Sequence, residues 1–266
     1  MPPAADQNRD APRSILLLGE DEIRYGAFAL DAQPELGIAA ALSVGADPAS
    51  PALAHKGNPD QPNEDAVLVR VVGDRVLLAV ADGHFGIHAS HSILRAIAGA
   101  EGVPGQPATL ARLLGDVPLV TNPVTPDAGT TLTIAVLRRE LRAGFGFTFG
   151  DSSCMLASAA RSGAPCHAHG SAFVRPGTAE ALDVSRAAFF EFDTRPGELV
   201  VLHTDGVDAC CYGRPDRSPD GAARIALLEE HATASSYAEA LMGLALAGLP
   251  DAAGGQDNIA IAVAEA

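Results

Sequence analysis

Two β-hairpin signatures constrain the fold more than any other feature of the sequence. The valine-rich runs 66–72 and 75–81 are joined by Gly73-Asp74, a dipeptide typical of two-residue hairpin turns. A second pair spans 131–137 and 141–149, where apolar residues recur with the period of two that a half-buried strand requires. Both patterns predict antiparallel strands with one face packed inward.

Shorter apolar runs complete the predicted element order. Further strands are predicted at 15–18, 37–44, 155–160, 187–192, 198–204 and 258–263, although 37–44 is also compatible with the end of a helix. Helices are predicted at 88–100, 109–114, 221–231 and 235–247, the last ending at Gly248. Hairpins without regular strand and helix alternation predict a layered α+β fold with antiparallel sheets and helices outside them.

Length and composition predict one domain. The 266 residues are 47% hydrophobic, enough for a large core. Residues 1–13 are rich in proline, aspartate and alanine and predict a disordered lead, followed by a domain at 14–266. The first residues lack the pattern of a secretory signal, and the four cysteines do not form a disulfide framework, so we expect reduced thiols and a cytoplasmic location.

The charge balance argues against polyanionic partners. The formal net charge is -15, and Lys56 is the only lysine. No basic stripe exists to bind a phosphate backbone, so nucleic acid is not an expected partner. No apolar run is long enough to span a bilayer, and no membrane association is expected.

Acidic residues recur beside the apolar strands. Glu64, Asp82, Asp205 and Asp257 each stand immediately before or at the end of a predicted strand, and Asp151 closes the phenylalanine-rich strand. Side chains at strand ends reach the rim of a sheet, where distant segments can converge. Clustered carboxylates need protons or cations to offset their repulsion, and oxygen ligands favour Mg²⁺, Mn²⁺ or Ca²⁺ over Zn²⁺. Taken singly, each of these dipeptides is more typical of a plain turn.

Together with Ala128-Gly129-Thr130-Thr131, these motifs resemble the type 2C family of metal-dependent Ser/Thr protein phosphatases over about residues 57–263. The resemblance implies an antiparallel β-sandwich flanked by helices on both faces, an α-β-β-α four-layer arrangement, around a binuclear centre of Mn²⁺ or Mg²⁺. It implies that Asp82 bridges the two ions and that Gly83 contributes its carbonyl oxygen. Asp205 and Asp257 are the implied further ligands of one ion, and Asp151 is the implied ligand of a third, weaker ion. Glu64 matches a direct or water-mediated partner of the other ion, with Asp65 supporting it through bound water.

The activity implied by the resemblance is hydrolysis of phosphoserine and phosphothreonine in proteins by a metal-activated water, without a phosphoenzyme. His84 matches the acid that protonates the leaving oxygen. Phosphorylated proteins are the implied partners, with a protein kinase as a further one in a signalling role. The segment 154–196 falls where relatives carry a flap beside the active site, and we expect it to influence substrate choice.

One departure from the family pattern concerns phosphate binding. Asp60 stands where relatives have an arginine that binds the substrate phosphate. Lys56 is the nearest basic residue and is the candidate replacement. The same departure supports an alternative, a type 2C-like module that binds phosphoproteins without turnover.

Two other chemistries are weaker alternatives. Cys211 and Arg217 have the spacing of the loop of cysteine-dependent phosphatases, but Pro215 removes one of the backbone amides that such a loop needs. His84, His88 and His91 have helix-compatible spacing, and Cys166-His167-Ala168-His169 is a compact cluster, so a zinc site is the second alternative.

Overall fold

The computed structural model describes residues 12–53, 56, 60–118, 128–158, 173–175, 182–249 and 252–266. The strands are β1 Arg13–Leu18, β2 Ala29–Gln33, β3 Ile38–Ser43, β4 Ala66–Val72, β5 Arg75–Ala81, β6 Gly83–His84, β7 Gly129–Thr130, β8 Leu132–Arg138, β9 Ala143–Phe149, β10 Ser153–Ala157, β11 Ala188–Asp193, β12 Leu199–His203 and β13 Ile259–Glu265. The helices are α1 His88–Gly99, α2 Pro107–Gly115, α3 Asp205–Asp208, α4 Gly221–Glu230 and α5 Ala234–Ala247.

Two antiparallel sheets form the centre of the fold. The first has the order β1-β4-β5-β8-β9-β11, and the second has the order β10-β12-β13-β3-β2. Both predicted hairpins are confirmed, with Val72 opposite Arg75 in one and Arg138 opposite Ala143 in the other. The ambiguous run 37–44 is a strand, because β3 lies between β13 and β2 inside the second sheet.

Helices cover the outer faces of both sheets. Leu77, Ile134 and Phe145 of the first sheet pack against a cluster that includes Ile93 of α1 and Leu110 of α2. On the second sheet, residues of β12 and β13 pack against α5, including its fully buried Tyr237. The alternating phenylalanines of β9 therefore pack beneath the helices.

The space between the sheets holds a separate apolar layer. Val69 and Leu78 of the first sheet contact the cluster formed with Leu42, Val200 and Ala262 of the second, and all five side chains are buried. Strands with both faces buried explain why β4, β5, β3 and β13 are almost continuously apolar. The predicted antiparallel β-sandwich with helices on both faces is confirmed.

Helix α5 shows how local sequence sets an element's limits. The side chain of Thr233 accepts a hydrogen bond from the Ser236 amide at 3.3 Å, which caps the first turn. At the other end Gly248 has φ +72°, a left-handed conformation that glycine adopts without strain, so the predicted stop is confirmed.

Some features differ from the sequence predictions. Strand β2 was not predicted, because it is short and half-buried, so its alternation is weak. The predicted flap segment 154–196 is too wide, because β10 and β11 occupy its two ends and belong to the central sheets. Arg13 was assigned to the disordered lead but begins β1, and residues 1–11 lie outside the described residues.

Cys210 and Cys211 carry free, buried thiols, and Cys154 is also buried. Cys166 lies outside the described residues. Within the described part of the chain, no helix has the length and apolar character needed to cross a membrane.

Candidate metal centre

The predicted acidic residues meet at one end of the sandwich and come from both sheets. Asp65 precedes β4, Asp82 follows β5 and Asp151 follows β9 in the first sheet. Asp205 follows β12 and Asp257 precedes β13 in the second sheet. Because the strands are antiparallel, the end of one and the start of its neighbour lie at the same edge.

Three of these carboxylates are close enough to share an ion. Ligand oxygens of Asp82, Asp151 and Asp205 all lie within 4.8 Å of one another. Asp82 is buried, Asp205 is half-buried and Asp151 is exposed, so the group opens from the core towards solvent. This geometry suits a cation that is reached from outside.

The Ala-Gly-Thr-Thr element holds the backbone of Asp82. The Thr131 hydroxyl accepts from the Asp82 amide at 3.1 Å, and the Thr131 amide donates to the Asp82 carbonyl at 2.9 Å. The Thr130 hydroxyl also donates to that carbonyl, at 2.9 Å. Thr131 contacts the hydroxyl of Ser152 at 2.7 Å, which ties the turn carrying Asp151 to the same place. The motif therefore positions two acidic residues without touching an ion itself.

A single hydroxyl joins the two sheets at the centre. The Thr204 hydroxyl donates to Asp65 Oδ2 at 2.8 Å and accepts from the Ala260 amide at 2.9 Å. Thr204 directly precedes Asp205, so this pair of bonds fixes the separation between acidic residues of the first and second sheets.

Asn258 holds the neighbouring segments together through its side chain. Its side-chain oxygen accepts from the Glu64 amide at 2.8 Å. Its side-chain nitrogen donates to the carbonyl oxygens of Val44 and Pro62, each at 3.1 Å. The buried side-chain amide of Asn258 thus holds the backbone of Glu64 close to the segment that carries Asp257.

Lys56 points into the acidic group. Its Nζ lies 3.6 Å from Asp82 Oδ1 and 3.4 Å from Asp257 Oδ1, and it donates to the Gly83 carbonyl at 3.3 Å. Burial alone would lower the pKa of this ammonium, but the surrounding negative charges outweigh burial and raise it. Those charges belong to Asp82, Asp257, Asp65 and Glu64. In this arrangement the ammonium faces carboxylates, and its predicted contact with phosphate stays a prediction.

The carboxyl groups respond unequally to this environment. Burial and the neighbouring charge of Asp82 raise the pKa of Asp65 and of Asp205. Burial also raises the pKa of Asp257, partly opposed by Lys56. For Asp82 the upward effect of burial is outweighed by Lys56 and His84, which lower its pKa to about 2. Of these four carboxyl groups, only Asp82 has a lowered pKa and is favoured in its ionised form.

His84 lies at the mouth of the centre. Its Nε2 is 3.2 Å from Asp82 Oδ2, and its ring meets that of Phe173 edge-on at 4.9 Å. Burial lowers the pKa of His84, but the contact with Asp82 outweighs burial and raises it overall. The side chain is 37% exposed, so a bound substrate could reach it.

A buried network behind Asp205 was missed at the sequence level. Arg224 of α4 forms an ion pair with Asp208, and its Nη1 lies 3.2 Å from Nε2 of the fully buried His203. The other ring nitrogen of His203 lies 3.0 Å from the Thr204 carbonyl. The network fixes α3 and the residue before Asp205. The only sequence signal for this network was Arg224, which stands beside the apolar positions of the predicted helix 221–231.

The alternative chemistries gain no support from the described residues. The only described group of three or more metal-ligating side chains contains no histidine, and the Nε2 of His91 instead accepts from the Gly19 amide at 3.0 Å. Cys211 is buried, with its sulfur 3.3 Å from the carbonyl of Arg217. The predicted cluster at 166–169 lies outside the described residues.

The donor set fits divalent cations. It consists of oxygen atoms, and the four acidic groups that act on Lys56 carry more negative charge than one ammonium can neutralise. The acidic residues and Gly83 could therefore hold Mg²⁺ or Mn²⁺. Their individual assignments as ligands remain predictions.

The α-β-β-α sandwich of this chain is similar in fold to solved structures of serine phosphatases. One bacterial serine phosphatase is 16% identical over 86% of this chain and 96% of its own, with a TM-score of 0.62. The catalytic domain of the serine threonine protein phosphatase PstP, solved with two manganese ions, is 20% identical over 90% of this chain and 99% of its own, with a TM-score of 0.55. The photosystem II phosphatase PBCP is 16% identical over 76% and 91%, with a TM-score of 0.56. No family model and no curated protein matches the chain.

Proposed function

We propose that the protein is a metal-dependent phosphatase that hydrolyses phosphoserine and phosphothreonine in proteins. The observation that carries this proposal is the convergence of Asp82, Asp151 and Asp205 at the end of a sandwich with the fold of bacterial serine phosphatases. PstP, which shares that fold, was solved with two manganese ions, and this supports Mn²⁺ or Mg²⁺ as the cofactor here.

Each residue of the centre has a proposed role. Asp82 would contribute ligand oxygens to both ions, since one of its carboxylate oxygens faces Lys56 and the other faces His84. The remaining ligands are the Gly83 carbonyl, Asp205 and Asp257, Glu64 with Asp65, and Asp151 for a third ion. When bound, the ions would activate a water molecule and neutralise the phosphoryl oxygens.

His84 is proposed to donate a proton to the leaving oxygen. The raised pKa keeps the imidazole protonated to higher pH, and Asp82 orients Nε2 at 3.2 Å. A serine or threonine alkoxide needs such a proton, whereas a nitrophenolate leaves without one.

The His84→Gln variant is therefore expected to lose activity selectively. On a phosphoserine peptide kcat should fall about 100-fold or more, while hydrolysis of p-nitrophenyl phosphate should change far less. The parent should lose peptide activity as the pH rises through the pKa of His84. The pH profile of the variant should lack this decrease. Steady-state kinetics from pH 5 to 9 measure both effects, with His231→Gln as a control at the end of α4. Equal losses on the two substrates would contradict the proton-donor role.

Phosphate binding in this chain is proposed to differ from its relatives. Asp60 is exposed and acidic, so the usual arginine contact is absent at that position. Arg175 is a second cationic candidate, because its side chain lies beside Gly129, which pairs with His84 across β6 and β7. We further propose phosphorylated proteins and their kinase as partners, and a cytoplasmic location in keeping with the free thiols.

The proposal is tested by assaying the purified chain with p-nitrophenyl phosphate and with phosphoserine and phosphothreonine peptides. Activity should require added Mn²⁺ or Mg²⁺ and disappear with EDTA. Binding of phosphopeptides without turnover under any of these conditions would instead support the non-catalytic binding module.

A further inference from the structure

The ammonium of Lys56 lies among the oxygen atoms of residues that are proposed to bind metal. Its ammonium lies within 3.6 Å of oxygens from Asp82 and Asp257 and bonds the carbonyl of Gly83. The side chain is only 8% exposed. Asp82, Gly83 and Asp257 are also among the residues proposed to hold metal. An ion bonded to the same oxygens would fill the volume that the ammonium occupies.

We propose that Lys56 is a tethered cation that occupies part of the metal centre and is displaced when the second divalent ion binds. The inference rests on the proposed function, because it assigns a competitor to the ions of that same centre. It makes Lys56 a built-in regulator of metal loading, distinct from a contact with the substrate phosphate.

The chemistry of the side chain suits this role. An ammonium is a compact point charge on a flexible four-carbon stem, whereas the planar guanidinium of arginine needs a broader site. Lys56 is the only lysine of the chain. The ammonium offsets one of the buried negative charges in the metal-free protein, and a divalent ion offsets two. A divalent ion at sufficient concentration therefore replaces it.

Occupation by Lys56 weakens the apparent affinity for the second ion. The binding-competent state is only the fraction of molecules in which the lysine has left, and the apparent dissociation constant rises by the inverse of that fraction. Metal binding should thus proceed in two steps, with the second step coupled to exposure of the lysine.

The single lysine allows a direct test on the unmodified sequence. Reductive methylation with formaldehyde, followed by mass spectrometry of the peptide that contains Lys56, measures the accessibility of its amine. Saturating Mg²⁺ should accelerate methylation about tenfold or more, because the metal releases a buried amine. An unchanged or slower rate in the presence of bound Mg²⁺ would overturn the proposal.

A variant pair provides the second test. Lys56→Met should bind the second Mn²⁺ about tenfold or more tightly, measured by titration calorimetry and by the paramagnetic resonance of free Mn²⁺. Its metal-free form should unfold at lower temperature, because the carboxylates lose their counter-charge. Arg186→Met is the matched control, since it removes one positive charge from an exposed residue before β11.

The outcomes separate the two proposals. Equal Mn²⁺ affinities for Lys56→Met and Arg186→Met would reject the role of the lysine alone. Absence of Mn²⁺ binding by the parent and both variants would reject the metal centre of the proposed function and this inference with it. The methylation experiment needs no variant, so it decides the matter even where Lys56→Met does not fold without metal.

Discussion

The Asp205→Asn variant is expected to lose hydrolysis of p-nitrophenyl phosphate by about two to three orders of magnitude, yet to unfold at a higher temperature than the parent without metal. Asparagine matches aspartate in shape but removes an anionic oxygen from the centre. Activity should fall because Asp205 is a proposed ligand of the metal ions. Stability rises because burial and the charges of Asp82, Asp257 and Asp151 oppose ionisation of Asp205.

The stabilisation should depend on pH in a defined direction. The pKa of Asp205 is raised above its ordinary value of 3.8, so the unfolded chain releases this proton at lower pH than the folded protein does, and the parent loses stability between these two pKa values. Parent and variant should have equal melting temperatures well below pH 4, and the variant should gain a few degrees as the pH rises from the ordinary pKa to the raised one, with no further gain above it. Calorimetry in EDTA from pH 3 to 8 measures this.

A matched control separates the centre from a general charge effect. Asp216→Asn changes an exposed carboxylate that pairs with Arg214 on the surface, and neither activity nor stability should change appreciably. Full activity in Asp205→Asn would remove this residue from the proposed centre. A lower melting temperature at pH 8 in EDTA would contradict the argument from repulsion.

The Gly206→Ala variant should have the largest effect on folding. A Cβ at this position would overlap the backbone carbonyl of Asn258, which belongs to the segment entering β13. Backbone atoms cannot move aside as a flexible side chain can, so α3 and the start of β13 must separate. We expect a loss of about 3 kcal/mol, or a melting temperature lower by about 6–12 °C, measured by thermal and urea unfolding.

Gly243→Ala is the control for this substitution. Gly243 lies inside α5, and a Cβ there would have no neighbour within 4 Å. Alanine should stabilise that helix by about 0.5–1 kcal/mol, because it loses less conformational freedom on folding. A Gly206→Ala protein as stable as the parent would show that the contact between α3 and Asn258 is looser than the structure indicates.

Much of the fold could be predicted from the sequence because its strands carry strong local signals. The Gly73-Asp74 turn and the alternating phenylalanines of β9 each indicate an element without reference to distant residues. Strand β2 lacks such a signal, and its pairing with β3 depends on a neighbour already placed in the sheet. The predicted flap 154–196 overlaps the strands predicted at 155–160 and 187–192, and only the pairing of β10 and β11 with strands far away in sequence shows that the two ends of this segment belong to the central sheets.

Some residues of the candidate site could likewise be predicted from the sequence, and others could not. Acidic residues at strand ends could be identified because antiparallel topology brings such ends together. The direction of Lys56 could not be predicted, because a side chain in a connecting segment is oriented by charges from three separate motifs. Nor could the sequence reveal that His203 and Arg224 meet behind Asp205, because that contact forms only when α4 packs near β12.

The two hydrogen bonds of the Thr204 hydroxyl link the spacing of the acidic residues to the distance between the two sheets. Asp65 and Ala260 approach from opposite layers, and both are bonded through one oxygen atom. The distance between the acidic residues of the first sheet and those of the second sheet is therefore set by the thickness of the apolar layer between the sheets. Substitutions that enlarge or reduce side chains of this apolar layer should therefore alter the spacing of the proposed metal ligands, even though these side chains lie far from solvent.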